Sequence, residues 1–405
     1  MNIGIIREGK NPPDKRVALL PEQCRELLDK FPRAGLWVQP SSVRCVPDEA
    51  YRRAGVPMAE DLRHCDVLLG IKEVPIGQLI PEKTYFFFSH TLKKQQYNQP
   101  LLRAVLDRRI TLIDYECLTN PQGERIIAFG RFAGIVGAYN GLLTYGRRYG
   151  LFSLQPAHAC FDLAHLREEY RKIHLPPVKI AVVGGGRVGR GATEVLDELG
   201  LRQVSPADFL RFDYPAAVYT QLNSRDYHDP PEGLAWDGTD FRRNPQRYRS
   251  RFLPFTRAAD VLITTAYWHP QAPVLFTAAD TRRPDFRIRV IADVSCDVDG
   301  SVPCTLRSTT VADPVFDYNP ETGKEDRPYS GGRNITVMAI DNLPCELPRD
   351  SSEFFGRQVI DNVVPHFFNG DPEGVLRRAR MTENGRLTAL FTYLSDYAGV
   401  LEINQ

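Results

Sequence analysis

The sequence predicts an α/β fold with two Rossmann-like domains, each built on a parallel sheet. Three observations support this prediction. The chain has 405 residues, more than one ordinary core contains. Short apolar strand-like runs alternate with helix-like segments along the first 130 residues. A second strand–turn–helix unit then begins at Val178.

The elements of the first domain follow one another in regular alternation. Strands are predicted at residues 3–6, 36–39, 67–71, 85–89 and 111–115. Helices are predicted at 21–31, 47–54 and 98–107, followed by a long helix over 132–149 that is rich in small residues. Alternation of this kind indicates parallel strands covered by helices, and the long helix is expected to link two domains while packing closely.

The second domain shows the same alternation, with one long stretch between two of its predicted strands. Strands are predicted at 178–183, 261–265 and 288–291. The aromatic, Arg- and Pro-rich stretch 205–258 is long for a Rossmann crossover, so it is interpreted as an insertion with a helix over 246–259. Residues 313–333 are expected to form a loop, and 352–368 and 373–401 to be helical.

The composition excludes several classes of protein. Hydrophobic residues make up 42% and the net charge is +1, which argues against nucleic-acid and membrane partners. No apolar run approaches the roughly 18 residues of a membrane span, and the N-terminus is interpreted as a strand and not a signal peptide. Eight dispersed cysteines without C-x-x-C spacing predict free thiols, no metal site and a cytoplasmic location.

A glycine motif follows the strand over 178–183. Gly184, Gly186 and Gly189 form a G-x-G-x-x-G turn that leads into an apolar-faced helix, which is the context of a dinucleotide fingerprint. Gly184 would permit the tight turn, Gly186 the close approach of a pyrophosphate, and Gly189 the packing of helix on strand. Amides of the helix start, those of Arg187 and Val188 among them, would hold phosphates.

Polar residues follow three of the apolar strands in the first domain. Lys72 and Glu73 follow 67–71, His90 follows 85–89, and Glu116 follows 111–115. Because the carboxyl ends of parallel strands meet at one edge, these side chains are expected to converge as acid–base groups. Burial lowers the pKa of a lysine and a neighbouring carboxylate raises it, so the direction for Lys72 is open.

Longer motifs resemble a known family. They are Ile-Arg-Glu-Gly at 6–9, Lys-Arg-Val-Ala-Leu-Leu-Pro at 15–21, Gly-Ile-Lys-Glu-Val-Pro at 70–75 and Phe-Ser-His at 88–90. Together they resemble the alanine dehydrogenase and pyridine nucleotide transhydrogenase N-terminal superfamily. Further stretches at 90–95, 114–118, 122–125, 128–134 and 339–355 are similar to its NAD-dependent, lysine-forming saccharopine dehydrogenases.

The resemblance implies a fold and an activity. Two domains separated by a cleft are expected: 1–136 completed by 344–405, and an NAD-binding domain over 137–343 with the insertion at about 205–258. The implied reaction is NAD-dependent oxidation of saccharopine to lysine and 2-oxoglutarate, or its reverse, in a monomer or small homo-oligomer. Alternatives are another secondary amine, alanine, or a nucleotide-binding protein without catalysis.

The resemblance also assigns roles. Lys72 matches the base for the substrate amine, His90 the group that activates water, and Glu73 and Glu116 the carboxylates that tune the lysine. Substrate carboxylates would be bound by Arg7, Lys93, Gln95 and Arg125.

Four aspartates are candidates on the cofactor side. Asp341 matches a family aspartate near the nicotinamide, and Asp297 stands where the alanine dehydrogenase branch has a catalytic aspartate. For the adenosine ribose, Asp208 fits the usual spacing of about 20 residues and Asp213 fits the local resemblance. NAD is therefore the expected cofactor, with NADP as the alternative.

Overall fold

The computed structural model describes residues 1–399, which divide into two compact units. Unit 1 contains Met1–Phe129 and the segment that begins at Pro348, and unit 2 is Gly130–Leu347. Unit 1 is therefore built from two separate stretches of chain, whereas unit 2 is continuous.

The described strands are β1 (Asn2–Ile5), β2 (Gly35–Val38), β3 (Val67–Leu69), β4 (Thr84–Phe87), β5 (Thr111–Asp114), β6 (Lys179–Val183), β7 (Arg202–Gln203), β8 (Val218–Leu222), β9 (His228–Asp229), β10 (Arg249–Ser250), β11 (Val261–Thr264), β12 (Val290–Asp293), β13 (Val315–Asn319), β14 (Lys324–Asp326), β15 (Ile335–Met338), β16 (Thr382–Glu383) and β17 (Arg386–Leu387).

The described α-helices are α1 (Pro21–Lys30), α2 (Asp48–Arg53), α3 (Gln99–Asp107), α4 (Gly130–Tyr149), α5 (Leu163–Glu169), α6 (Arg187–Glu198), α7 (Pro206–Arg211), α8 (Ser224–Tyr227), α9 (Gly238–Arg243), α10 (Leu253–Ala258), α11 (Ala278–Thr281), α12 (Pro348–Asn362), α13 (Val364–Phe368), α14 (Val375–Ala379) and α15 (Ser395–Ala398).

The sheet of unit 1 is parallel throughout, with strand order β2-β1-β3-β4-β5. Its central strand β3 is buried at every position, which is typical of a parallel sheet covered on both faces. Phe355 and Val359 of α12 pack in the same apolar cluster as Ile3 and Leu36, so the C-terminal segment completes this core.

The sheet of unit 2 has eight strands in the order β14-β13-β15-β12-β11-β6-β8-β7. Six neighbouring strands are parallel, namely β15, β12, β11, β6, β8 and β7. Strands β13 and β14 add an antiparallel edge. The prediction of two α/β units with parallel sheets is confirmed. The predicted loop over 313–333 is wrong, because a hairpin forms there around Asp317, a buried strand residue whose carboxylate accepts from Thr336.

Glycines allow α4 to pack directly on α6. A Cβ on Gly134 would overlap the carbonyl oxygen of Val188, and a Cβ on Gly191 would overlap that of Arg131. The helix predicted over 132–149 is confirmed, and its small residues serve this close helix–helix contact within unit 2.

The C-terminal helix predicted over 373–401 is wrong over the described residues, while residues 400 and 401 lie outside them. Asn384 and Gly385 both have positive φ and form the turn between β16 and β17, a pairing that Asn-Gly favours in hairpins. The helix predicted over 352–368 is interrupted before Pro365, so α12 and α13 are separate. The helix predicted over 246–259 begins only at Leu253, because β10 precedes it.

Within residues 1–399, no helix combines the length and hydropathy that crossing a bilayer requires.

Candidate functional site

The ends of two neighbouring strands bring Glu73 and His90 together. Strands β3 and β4 run parallel in register, and both residues lie just beyond their carboxyl ends. The Nδ1 atom of His90 lies 2.6 Å from Oε1 of Glu73. Because the carboxylate accepts, Nδ1 carries the proton and Nε2 is left for another partner. His90 has a φ of 50°, so this orientation is held in the left-handed region.

The Glu73 carboxylate is held by further donors. Lys10 Nζ lies 3.1 Å from Oε2, and the amide of Asn98 donates to Oε1 over 3.2 Å. Burial alone would raise the pKa of this carboxyl, but the hydrogen bond and charge of His90, with Lys10, hold the pKa well below its usual range. Glu73 is therefore an anion that orients His90 across the whole physiological pH range.

Lys72 has a partly buried side chain whose environment favours the neutral amine. Burial lowers its pKa, and the nearby charges of Arg16 and Lys10 lower it further, against the opposing charges of Glu73 and Asp14. The direction that the sequence left open is thus downward. A lysine with a lowered pKa is suited to accept a proton near neutral pH.

Glu8, which sequence reasoning missed, fixes the backbone of Lys72. Its carboxylate accepts from the amides of Ile71, over 2.7 Å, and Lys72, over 2.8 Å. Burial raises the pKa of Glu8 to about 7, with Asp14 adding to the increase. Glu8 follows β1, so the same rule of strand ends that selected Lys72 would have found it.

A buried ion pair acts electrostatically on both Lys72 and Glu8. Asp14 and Arg16 form a bidentate contact, with Nη2 to Oδ2 at 2.6 Å and Nε to Oδ1 at 3.0 Å, and both side chains are almost fully buried. The Arg16 guanidinium also lies 4.3 Å from the centre of the Phe129 ring. Both residues come from the loop between β1 and α1, where no periodicity marked them.

The raised pKa of Glu8 predicts an unusual pH dependence of stability. Above pH 5.5 the unfolded chain has lost the proton that folded Glu8 keeps up to its pKa of about 7, so stability falls as pH rises and levels off by pH 8. Glu8→Gln removes this loss. The free energy of unfolding of the variant minus that of wild type is expected to grow by about 2 kcal/mol between pH 5.5 and pH 8.

Thermal unfolding midpoints at pH 5.5 and 8, measured side by side, check this expectation. Gln loses the hydrogen bond to one of the two backbone amides, and this loss lowers stability equally at both pH values. The pH-dependent part of the difference therefore reports the titration of Glu8 alone. Glu124→Gln, at an exposed position of the same unit, is the matched control. Equal midpoint differences at both pH values would contradict the raised pKa.

Glu116 is not brought to Lys72 by any contact in the described structure. It forms an ion pair with Arg125 at 3.6 Å, and both side chains are about one-third exposed. The buried Asp114 instead joins the loops after β4 and β5, because its carboxylate accepts from Ser89 Oγ over 2.5 Å and from the Glu116 amide over 2.7 Å.

Two of the remaining substrate candidates have partners other than Glu73 and His90. Arg7 forms a bidentate ion pair with Glu60 and lines a cavity of about 410 Å³. Lys93 is exposed. The Tyr397 hydroxyl donates to the backbone carbonyl oxygen of Gln95 over 2.5 Å.

In unit 2 the glycine motif forms a cradle at the end of β6. Gly184 has a φ of 119°, and a Cβ there would lie 2.5 Å from Thr265 Oγ1. A Cβ on Gly189 would overlap the carbonyl oxygen of Gly184, whereas one on Gly186 would meet nothing within 4 Å. The first and third glycines are thus required by the protein itself, and the second leaves open space in which a pyrophosphate fits.

The other predicted cofactor residues fall into two groups. Arg187 and Val188 begin α6, beside the cradle. Asp297 and Asp341 follow the carboxyl ends of the neighbouring parallel strands β12 and β15, and the charges of both raise the already burial-raised pKa of Cys296 to about 12.

Asp208 and Asp213 lie away from the cradle. Asp208 is at the start of α7, where its carboxylate accepts from Ser205 Oγ over 2.9 Å. Asp213 acts electrostatically on Lys179, at the beginning of β6, whereas the cradle follows the end of that strand. The first and last residues of this five-residue strand are four steps, or about 13 Å, apart.

Among the described residues, no cluster of three or more His, Cys, Asp or Glu side chains is arranged to hold a metal ion.

Comparison with known proteins places these features in a family. Residues 4–136 match the model "Alanine dehydrogenase/PNT, N-terminal domain", and residues 171–388 match "Alanine dehydrogenase/PNT, C-terminal domain". L-alanine dehydrogenase has a similar fold, with a TM-score of 0.66 over 98% of this chain and all of that one, at 16% identity.

Two curated relatives are similar over most of this chain. Alpha-aminoadipic semialdehyde synthase of Arabidopsis thaliana is 28% identical over 97% of the chain, which spans only 41% of that protein's length. The saccharopine dehydrogenase (NAD(+), L-lysine-forming) of Schizosaccharomyces pombe is 27% identical over 89% of this chain and 91% of its own length.

Proposed function

Because the chain belongs to the alanine dehydrogenase/PNT family, we propose that it is a pyridine-nucleotide-dependent oxidoreductase that interconverts saccharopine with lysine and 2-oxoglutarate. The observation that carries this proposal is the group Lys72, Glu73 and His90, in which the Glu73 carboxylate orients His90 and acts electrostatically on a lysine whose pKa is lowered. The similarity to a saccharopine dehydrogenase over nearly its whole length supports the choice of substrate.

The residues of unit 1 divide the proton transfers between them. In the oxidative direction, the neutral amine of Lys72 accepts the proton of the secondary ammonium group, so that the nitrogen lone pair becomes available. When bound, the pyridine nucleotide supplies the hydride acceptor for oxidation of the carbon–nitrogen bond. His90, with Nδ1 held by Glu73, accepts a proton from water at Nε2 as the water adds to the resulting imine.

Breakdown of that adduct needs a proton on the departing nitrogen, and His90 returns it. His90 then accepts the hydroxyl proton of the adduct as the carbonyl forms and passes it to the released amine. The sum is saccharopine, water and the oxidised nucleotide giving lysine, 2-oxoglutarate, the reduced nucleotide and one proton. The substrate has three carboxylates, and Arg125, Lys93 and Gln95 are proposed to bind them together with Arg7. For Arg7 this requires exchange of its Glu60 partner.

An absorbance assay at 340 nm tests the proposal. Purified protein is supplied with NAD or NADP and, separately, saccharopine, alanine, glutamate or lysine; the reverse reaction contains lysine, 2-oxoglutarate and the reduced nucleotide. Turnover confined to saccharopine, and in reverse to lysine with 2-oxoglutarate, is expected. Turnover on alanine alone would overturn the substrate assignment, and silence on every substrate with intact nucleotide binding would overturn the catalytic role.

His90→Gln is expected to lower turnover on saccharopine by roughly two to four powers of ten, because glutamine keeps a donor for Glu73 but accepts no proton. Nucleotide binding should be unchanged. The measurement is kcat with saturating saccharopine, and His64→Gln, at an exposed histidine of the same unit, serves as control. A His90→Gln variant with near wild-type kcat would remove this residue from the mechanism.

A further inference from the structure

The strand beside the glycine cradle ends without an acidic residue. In dinucleotide-binding folds, an Asp or Glu at the end of the strand next to the first one accepts from the ribose 2′-hydroxyl. Here β8 is the strand beside β6, with Leu222 opposite Val183. Leu222 is followed by Asn223, Ser224 and Arg225, so the position is filled by two neutral polar residues and a cation.

The order of strands explains why sequence reasoning chose other residues. β7 and α7 intervene between α6 and β8, so counting about 20 residues from the glycine motif reaches Asp208, on α7. Neither Asp208 nor Asp213 lines the cavity that surrounds the cradle. Asp226, the next acid along the chain, accepts from the Asn223 amide over 2.7 Å and caps α8.

A single cavity of about 660 Å³ joins the cradle to this strand end. Its wall includes Gly185, Asn223 and Arg225, together with Trp236 and Arg242 from later in the stretch 205–258. A Cβ on Gly185 would overlap Asn223 Oδ1, so the end of β8 lies directly against the glycine loop. The stretch 205–258, predicted as an insertion, thus includes β8 of the main sheet, and residues that follow β8 supply part of the cavity wall.

The two arginines of this cavity retain donors for a ligand. Arg225 is 70% exposed, and its Nε lies 4.0 Å from Asp226, which is already engaged by the backbone. Arg242 donates one hydrogen bond, to Thr239 Oγ1 over 3.2 Å. The acidic residues closest to Arg242 along the chain have other partners. Asp237 caps α9, and Asp240 forms an ion pair with Arg247.

We propose that this end of the cavity binds the 2′-phosphate of NADP(H), with Arg225 and Arg242 as its cationic ligands and Asn223 and Ser224 as hydrogen-bond donors. The proposal rests on the pyridine-nucleotide function proposed above and names its cofactor. Arginine binds phosphate through paired N–H donors, and a carboxylate at this place would repel the phosphate. The chain would then differ from relatives whose names specify NAD(+).

Binding of 2′,5′-ADP and 5′-AMP, measured by calorimetry, tests the subsite without any turnover. The two compounds differ only in the 2′-phosphate. We expect 2′,5′-ADP to bind at least tenfold more tightly, with a preference that weakens as salt rises. Arg225→Ala should lower the affinity for 2′,5′-ADP by about 10- to 100-fold and leave that for 5′-AMP unchanged. Arg211→Ala, an exposed arginine on α7, is the matched control and should change neither.

A second variant keeps the local structure and reverses the charge. Asn223→Asp preserves a good cap for α8 and restores a strand-end carboxylate, so it should weaken 2′,5′-ADP binding and strengthen that of 5′-AMP. Equal affinities for the two compounds, or equal losses in Arg225→Ala, would overturn the 2′-phosphate site. If NADH and NADPH bind equally well, only this inference fails; if neither binds, the proposed function itself fails.

Discussion

Replacing Lys72 with methionine is expected to lower turnover on saccharopine by roughly two to four powers of ten, the usual effect of losing a general base. Methionine has a similar length and no charge, so a partly buried site that already favours the neutral amine should accept it. The Glu8 contacts are made to the backbone amide of this residue and do not depend on its side chain. Nucleotide binding is therefore expected to be unchanged.

The pH profile distinguishes a base from a structural lysine. Since the pKa of Lys72 is lowered, wild-type kcat in the oxidative direction should rise as the amine loses its proton and level off above that pKa. Lys72→Met should lose this rise. Lys30→Met, which removes a surface lysine of α1 in the same unit, should keep both the rate and the profile. Retention of the rise in Lys72→Met would assign the titration to another group.

Gly186→Val is expected to reduce nucleotide affinity by at least about 100-fold while the protein remains folded. The structure gives a clear reason: a Cβ at Gly186 meets no protein atom within 4 Å, and its φ of −78° suits any residue. Valine at this N-cap position costs only about 1 kcal/mol of helix stability. The side chain would instead fill the space reserved for the pyrophosphate. Titration of NADPH and NADH fluorescence provides the affinities.

Gly189→Ala is the matched comparison, because its Cβ overlaps the backbone of Gly184. This smaller substitution should lower the thermal midpoint clearly, whereas the larger one at Gly186 should not. Normal nucleotide affinity in Gly186→Val would refute the cofactor placement. A large loss of stability in that variant would show that the open space beside the glycine is not available.

Residues that follow strand ends were predictable from the sequence, since a parallel sheet gathers them at one edge. This reasoning selected Lys72, Glu73, His90 and the glycine motif, and also Glu116, which pairs with Arg125 instead. The two matching family models confirm the resemblance that the motifs suggested. Lys10, Asp14 and Arg16 were not found as site residues, because they lie on an irregular loop where no period distinguishes a buried charge from an exposed one.

The order of strands was the main obstacle on the cofactor side. The distance along the chain from the glycine motif predicts a strand-end acid only if the next strand lies beside the first. Here the short strand β7 lies at the sheet edge and β8 lies beside β6, so the spacing that selected Asp208 assumed the wrong strand order. Asp213 was selected by local resemblance. A two-residue strand with both side chains exposed carries no readable alternation.

The two-segment construction of unit 1 has a consequence for synthesis on the ribosome. Its five-stranded sheet is translated first, but the side chains of α12 that complete its core follow more than 200 residues later. Unit 2, encoded without interruption, is able to fold while the earlier sheet still exposes an apolar face. The nascent chain is therefore expected to need protection of that face until the last helices emerge, which makes the interval before Pro348 the period of greatest risk of aggregation.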